Sequence, residues 1–317
     1  MGIYKDILIF IVGALLIIRS ADLFTSAAEA IALFFRIPRV IIGLTIVSIA
    51  TTTPEFTVSA LAAYRGSTGI AVGNVTGSCL ANIGVILAAA ALISPVKFDV
   101  RTVHKEMVFL IAISVLLFLL MWDGVLSFYD GLGLSCLLVA FLFQVIRREI
   151  RARKEQATAD PAQPRTIKKD VVKFVIGTAG VVISAKYAII PAGIAIAQFL
   201  HVPEIVIGIS IIAIGTSLPE LVTALMASAK KMGELAGGNV IGANILNILW
   251  VLGVSSMLRP LAIDVQTRMV SMPLVVGFSA AVFLFARQRF ALAKQHGAAL
   301  LLGYGLYLGY IVFFAYR

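Results

Sequence analysis

The sequence predicts an all-α, polytopic membrane protein with ten transmembrane helices, arranged as two inverted five-helix repeats with both termini outside. Three observations support this fold class. Hydrophobic residues make up 60% of the 317 positions, and the mean hydropathy is +1.02. Apolar windows of about 20 residues, the length that crosses a bilayer, recur ten times. Between positions 37 and 95, 18 of 59 residues are identical to the residue 165 positions further on.

Each predicted span is an apolar window bounded by charged, glycine or proline residues. The first and the sixth are the longest, and we expect them to tilt or bend within the bilayer. The ten spans are 7–34, 39–64, 70–94, 106–122, 127–146, 171–199, 204–229, 235–257, 269–286 and 296–315.

The repeat divides the chain into two halves joined by a charged segment that contains Pro161 and Pro164. Because each half has an odd number of spans, the second half enters the membrane from the opposite side, as in many secondary transporters. The predicted units are residues 1–146 with a motif region at 38–95, a cytoplasmic linker at 147–170, and residues 171–317 with a motif region at 203–260.

Lysine and arginine residues are distributed very unevenly between the predicted loops. One side of the membrane receives 19 of them and the other side 5, which predicts an N-out, C-out orientation by the positive-inside rule. The net charge of +10 lies in these short loops, so we expect membrane lipid and no nucleic acid as a partner. The prediction is a multi-pass protein of a prokaryotic plasma (inner) membrane that functions as a monomer.

Two polar segments interrupt the apolar spans 165 positions apart: Ala50-Thr51-Thr52-Thr53-Pro54-Glu55 and Gly215-Thr216-Ser217-Leu218-Pro219-Glu220. A charged side chain at mid-membrane costs about 3 kcal/mol on insertion scales. Proline lacks an N–H group, so we expect each helix to break there and each glutamate to open the following half-helix. One copy alone could be a kink with self-bonded hydroxyls. The second copy, with its own glutamate, favours a binding site.

The predicted site contains oxygen ligands only. Helical spacing puts Ser48, Thr51, Thr52 and Glu55 on one face, and the second copy has Ala213, Thr216, Ser217 and Glu220 at the matching positions. Ser78 and Asn82 share a face of span 3, as Ala243 and Asn247 do in span 8, although such asparagines could instead join helices by hydrogen bonds. Carboxylate, hydroxyl and carbonyl oxygens suit Ca²⁺ and Na⁺ rather than zinc or copper.

Enzyme and channel functions fit the pattern less well. The chain has no His-Glu-x-x-His motif and no serine with a membrane-depth histidine, so we expect neither enzymatic activity nor a cofactor. An inverted repeat within one chain also fits a carrier better than an oligomeric cation channel.

The paired motifs resemble those of the cation/calcium exchanger superfamily, in which Gly-Thr-Ser-x-Pro-Glu is followed by Gly-Asn-x-x-Gly-Ser-Asn-x-x-Asn/Asp. The overall size is similar to that of the prokaryotic sodium/calcium exchangers. The resemblance implies exchange of Ca²⁺ for Na⁺ by alternating access. It also implies acidic ligands at Glu55 and Glu220, amide ligands at Asn82 and Asn247, and hydroxyl or carbonyl ligands at Ser48, Thr51, Thr52, Ser78, Ala213, Thr216 and Ser217.

Several positions depart from the family motif. Ala50, Thr52 and Cys79 replace the usual Gly, Ser and Asn, and Ala243 replaces a serine hydroxyl. Because position 247 is an asparagine, Glu55 and Glu220 are the only two acidic groups among the predicted ligands. A proton-coupled or K⁺-dependent Ca²⁺/cation antiporter therefore stays an alternative at this point.

Spans 1 and 6 lie outside the motif regions. We expect these two spans to form one unit that slides against the site-bearing spans, since gating of one bundle against a fixed site is common in inverted-repeat carriers. Asp22 and Lys186 are predicted to pair between the two spans, because pairing offsets part of the insertion cost of each charge.

Overall fold

The structure is a computed structural model whose described residues are 2–35, 37, 39–100, 102–156, 167–199 and 217–315. The described chain is almost entirely helical. The first half contains α1 Gly2–Phe34, α2 Arg39–Ile42, α3 Ser48–Tyr64, α4 Thr68–Ala81, α5 Ala88–Ile93, β1 Val96–Lys97, α6 Val108–Leu120, β2 Val125–Leu126 and α7 Phe128–Gln156. The second half contains α8 Lys168–Ser184, α9 Ile190–Phe199, α10 Leu218–Ala229, α11 Gly233–Leu246, α12 Gly253–Leu258, β3 Leu261–Ala262, α13 Met272–Ala286, β4 Ala291–Leu292 and α14 Lys294–Ala315.

Short π-helical segments join several of these helices into longer continuous stretches. They are Gly43–Val47, Asn82–Leu87, Thr102–Met107, Ala185–Ile189, Asn247–Leu252 and Thr267–Ser271. Isolated π-helical turns inside α-helices are often found at functional sites, because they change the direction in which neighbouring side chains point.

Eight helical stretches of the described chain are long and apolar enough to cross a membrane, which makes this a multi-pass membrane protein. The fourth predicted span corresponds to the shorter helix α6, and the start of the seventh lies outside the described residues. The eight stretches are Ile3–Phe34, Arg39–Tyr64, Thr68–Ile93, Phe128–Arg148, Lys168–Gly193, Gly233–Leu258, Thr267–Ala286 and Lys294–Phe313.

The 165-residue sequence offset also relates elements of the structure. Helix α4, the π-helical segment that follows it and α5 correspond residue for residue to α11, the next π-helical segment and α12. The short strands connect the two halves, since β1 pairs with β4 and β2 pairs with β3, both antiparallel. Each half therefore contributes one strand to each two-stranded sheet.

The two stretches that carry the Gly-Asn motifs form the centre of the bundle. In their most apolar windows, 83% of the residues of Gly233–Leu258 and 72% of those of Thr68–Ile93 are buried, against 22% for Ile3–Phe34. The backbone of α11 packs directly on the π-helical segment before α3, because Gly242 has no side chain there. A Cβ atom on Gly242 would lie 2.6 Å from the carbonyl oxygen of Leu44.

Proline does not interrupt α3, contrary to the expectation from the sequence. The helix runs from Ser48 to Tyr64 with Pro54 inside it, and the irregular winding lies earlier, at Gly43–Val47. A proline removes only one hydrogen bond, and a helix that packs against other helices can accommodate that loss without ending. In the second half, Pro219 lies in the first turn of α10, so Glu220 does open a helix there.

Helix α1 packs along α8, at the periphery of the bundle. Glycines of α8 allow this close approach, since a Cβ atom on Gly177 would lie 2.7 Å from the backbone nitrogen of Phe24. The predicted pairing of the first and sixth spans is in agreement with this contact.

The predicted ion pair between Asp22 and Lys186 is wrong. The Nζ atom of Lys230, at the end of α10, lies 2.6 Å from Asp22 Oδ1 and also donates to Ser26 Oγ. Lys186 instead lies over the ring of Tyr187, 5.2 Å from its centroid. Helix α1 contacts α10 as well as α8, and this second contact brings a different lysine to the aspartate.

Candidate cation site

The two motif glutamates are held by hydroxyls of the opposite repeat. Ser217 Oγ donates to Glu55 Oε1 at 3.0 Å, and Thr52 Oγ1 donates to Glu220 Oε1 at 3.2 Å. Thr52 and Ser217 occupy matching positions of the two repeats, as Glu55 and Glu220 do. The two contacts are therefore reciprocal, and they bring α3 and α10 together at one buried centre.

Four buried oxygens of the predicted site residues have no hydrogen-bond partner among the described residues. They are Oε2 of Glu55, Oε2 of Glu220, Oδ1 of Asn82 and Oδ1 of Asn247. A buried polar oxygen without a partner is costly, and it costs still more when it belongs to a carboxylate. Cations that bind to these oxygens would offset that cost.

Other predicted residues surround the same centre. The Oγ atom of Ser78 lies 3.1 Å from Ser217 Oγ, so α4 and α10 meet beside Glu55. Thr51 Oγ1 donates to Asn239 Oδ1 at 3.3 Å. The contacts therefore bring together Glu55, Glu220, Thr52, Ser78 and Ser217. Thr51 precedes Thr52 in α3, and Asn82 and Asn247 begin π-helical segments that contact α10 and α3, respectively.

The Ser48 side chain points toward backbone carbonyls of neighbouring segments and not toward the two glutamates. Its hydroxyl donates to the backbone carbonyls of Gly43 and Asn239, the second at 3.0 Å, so it joins the π-helical segment before α3 to α11. The predicted hydroxyl ligand at this position is thus used between helices. Ala213 and Thr216 lie outside the described residues.

Two asparagines of α11 belong to the site although they were not among its predicted members. Asn239 Oδ1 accepts a hydrogen bond from the Thr51 hydroxyl, and Asn244 Oδ1 accepts one from Asn82 Nδ2 at 2.9 Å. Asn244 Nδ2 in turn donates to the carbonyl of Cys79 at 3.2 Å. The sequence feature that could have identified both residues is an amide side chain at membrane depth within a duplicated motif. Such an amide needs a hydrogen-bond partner inside the protein.

The donor set has the chemistry of a site for hard cations. It contains two carboxylates, amide oxygens and hydroxyls, which suit Ca²⁺ and Na⁺. Within the described residues, no three His, Cys, Asp or Glu side chains come together, so a zinc-type cluster is absent from that part of the chain.

A multi-helix membrane bundle with a buried, oxygen-lined centre between two related halves defines a membrane carrier for cations. Comparison with known proteins identifies which carrier family this is. The profile of the family described as "Sodium/calcium exchanger protein" matches residues 5–147 and 169–313. The chain belongs to this family.

Individual relatives agree with this assignment. The chain is 35% identical over 262 residues to the inner membrane protein YrbG of Escherichia coli strain K12, covering 81% of each chain. It is 29% identical to the sodium/calcium exchanger MaX1 of Methanosarcina acetivorans, covering 96% of this chain and 97% of the relative. A solved structure of the sodium-calcium exchanger NCX_Mj has a TM-score of 0.84 and 29% identity, covering 96% of this chain and 98% of the other.

Proposed function

We propose that this protein is a secondary active antiporter that exchanges Ca²⁺ for Na⁺ across the membrane by alternating access. The family and the exchangers named above support this function and do not favour the proton-coupled or K⁺-dependent alternative. The cations are the transported substrates, and the protein's own residues supply their ligands.

The observation that carries the proposal is the set of four unpartnered oxygens at the buried centre. Each glutamate uses Oε1 to accept a hydrogen bond from a hydroxyl of the opposite repeat, and its Oε2 has no partner in the part of the chain that the structure describes. Two carboxylates balance the charge of one Ca²⁺ or of two Na⁺. Because both ions would need the same two oxygens, they exclude each other, and this mutual exclusion is what an exchanger requires.

The remaining ligands follow from the same geometry. Ca²⁺ takes six to eight oxygens at about 2.3–2.6 Å. The hydroxyls of Thr52 and Ser217 contact the carboxylates, and that of Ser78 contacts Ser217. The hydroxyl of Thr51, together with backbone carbonyls or water, would complete the shell. We include Ala213 and Thr216 as carbonyl and hydroxyl ligands by their correspondence with Ser48 and Thr51 in the first repeat.

We further propose ten membrane-spanning helices in two inverted repeats, an N-out, C-out orientation and a location in a prokaryotic inner membrane. The reciprocal strand pairs and the constant offset between elements support the repeats. The positive-inside distribution supports the orientation. The relative named as an inner membrane protein supports the location. A monomer is the expected functional unit, because one chain supplies both glutamates.

The test is Ca²⁺ uptake by purified protein in proteoliposomes that carry an imposed Na⁺ gradient. The wild type should accumulate radioactive Ca²⁺ when Na⁺ is inside, and Glu55→Gln and Glu220→Gln should each abolish uptake. Glu234→Gln is the matched control, because this carboxylate lies in the first turn of α11 and lines a different cavity, with Arg39 and Lys97, and the variant should keep wild-type uptake.

Parallel vesicles separate the alternatives. A pH gradient or a K⁺ gradient without Na⁺ should not drive uptake, and Ca²⁺ flux without any counter-ion would indicate a channel. Normal Na⁺-driven exchange in Glu55→Gln would refute the assignment of the site. Uptake driven only by a pH gradient in the wild type would refute sodium coupling.

A further inference from the structure

Two asparagines at the centre present unpartnered oxygens, and each needs a second group to hold its amide in that orientation. Asn82 and Asn247 are the first residues of the π-helical segments Asn82–Leu87 and Asn247–Leu252. In both, Oδ1 is buried without a partner among the described residues. An asparagine amide can rotate by half a turn and exchange its oxygen for its NH₂ group, which would place hydrogen-bond donors next to a cation.

The asparagine of the first repeat, Asn82, is held in place by an amide of the second repeat. Asn82 Nδ2 donates to Asn244 Oδ1 at 2.9 Å, and Asn244 Nδ2 donates to the Cys79 carbonyl at 3.2 Å. Asn244 is therefore held at both ends, and it fixes the orientation of Asn82 so that Oδ1 remains free. All three residues are almost completely buried, so water does not compete for these bonds.

The asparagine of the second repeat, Asn247, faces a thiol at the matching place. Cys79 and Asn244 are 165 positions apart, as Asn82 and Asn247 are. The side chain of Asn247 lies beside the Cys79 thiol, as the corresponding Asn82 lies beside Asn244. Asn247 Oδ1 has no hydrogen-bond partner among the described residues, so Nδ2 is the group that could donate to the sulfur. A thiol sulfur is a weak acceptor compared with an amide oxygen.

We propose that Asn244 and Cys79 are a pair of positioning residues that orient the site amides Asn82 and Asn247, and that the thiol makes the second amide the weaker ligand of the two. The inference rests on the proposed Ca²⁺ and Na⁺ site and adds residues that touch no ion themselves. The two repeats then contribute unequally to the site, although both keep an asparagine ligand. Cys79 thereby sets the apparent Ca²⁺ affinity.

Variants at position 79 test this role. Cys79→Ala removes the acceptor and should raise the half-saturating Ca²⁺ concentration about three- to tenfold, the range expected for one lost neutral hydrogen bond, with a maximal rate within about twofold of wild type. Cys79→Ser supplies a hydroxyl acceptor and should restore the wild-type value. Cys79→Asn copies Asn244, its counterpart in the second repeat, and should lower the half-saturating concentration below that of wild type.

A double-mutant cycle separates positioning from general packing. Asn247→Ala should weaken Ca²⁺ binding, and Cys79→Ala should add nothing in the Asn247→Ala background, because the group that it orients is gone. Asn244→Ala should weaken binding in the same way through Asn82. Cys136→Ala is the matched control, since Cys136 is the exposed cysteine of α7 and its loss should change neither affinity nor rate.

Both readouts are measured on the same preparations, by calorimetric Ca²⁺ binding to the purified protein and by Na⁺-driven uptake in vesicles. If the wild-type protein binds Ca²⁺ but shows no Na⁺-driven uptake, the proposed exchange function is overturned. The positioning role can then still be tested by the Ca²⁺ affinities of the variants. Unchanged binding in Cys79→Ala, or additive losses in the double variant, would overturn the positioning role. The Ser and Asn variants keep the test valid if the Ala variant does not fold.

Discussion

Replacing Lys230 by methionine removes a cation that ties α1 to the end of α10. Lys230 Nζ contacts Asp22 Oδ1 at 2.6 Å, the Asp22 carbonyl at 3.1 Å and Ser26 Oγ at 2.6 Å. If the unit of α1 and α8 slides against the site-bearing helices, these contacts form in one conformation and break in the other. The predicted consequence is a shift in the conformational equilibrium of the carrier.

The size of the shift follows from the exposure of the pair. The Lys230 side chain is 28% exposed and that of Asp22 is 50% exposed, so solvent screens the attraction substantially. Such pairs contribute up to about 1 kcal/mol. That free energy corresponds to a change of about fivefold in an equilibrium constant. Lys230→Met should therefore move the equilibrium about fivefold away from the conformation described here, and the ion site itself should remain intact.

The assay measures half-saturating Ca²⁺ separately on each face, in vesicles with the protein oriented in one direction. Apparent affinity on a face scales with the fraction of protein open to that face, so the variant should bind more tightly on one face and more weakly on the other. Lys231→Met is the control, because it removes the same charge at the next residue. The reasoning is refuted if both faces change in the same direction, or if the two variants behave alike.

Further predictions concern packing, sodium binding and motion. Gly242→Ala should destabilise the protein by about 1–3 kcal/mol, since its Cβ would crowd the Leu44 carbonyl, whereas Gly277→Ala, with open space around it, should not lower the thermal unfolding temperature. Ala243→Ser restores the hydroxyl that Ser78 keeps in the first repeat, and should strengthen the Na⁺ dependence of Ca²⁺ uptake; an unchanged dependence would show that the hydroxyl is not a ligand. Cysteine pairs that cross-link α1 to α8 should leave exchange intact, and pairs that cross-link α1 to α3 should block it; loss of exchange from the first cross-link in folded protein would contradict the sliding unit.

Much of this architecture is determined by the sequence alone. The length of the apolar segments identifies a helical membrane protein, because only helices and closed barrels can span hydrocarbon with their backbone groups hydrogen-bonded. The constant offset of 165 identifies the duplication, and the duplicated Pro-Glu motif identifies Glu55 and Glu220 as partners before any contact is known. These conclusions need only composition, periodicity and repetition, which are properties of a linear chain.

The tertiary structure decides which groups meet. The sequence did not predict that the Ser48 hydroxyl would join helices, or that Asp22 would pair with Lys230, because several polar groups of similar type compete for each partner. It also did not predict that α3 would continue through Pro54, because the packing of neighbouring helices determines whether a lost hydrogen bond ends a helix. The hydroxyl contacts to one oxygen of each glutamate depend on how α3 and α10 cross, and that crossing is set by packing over the whole bundle.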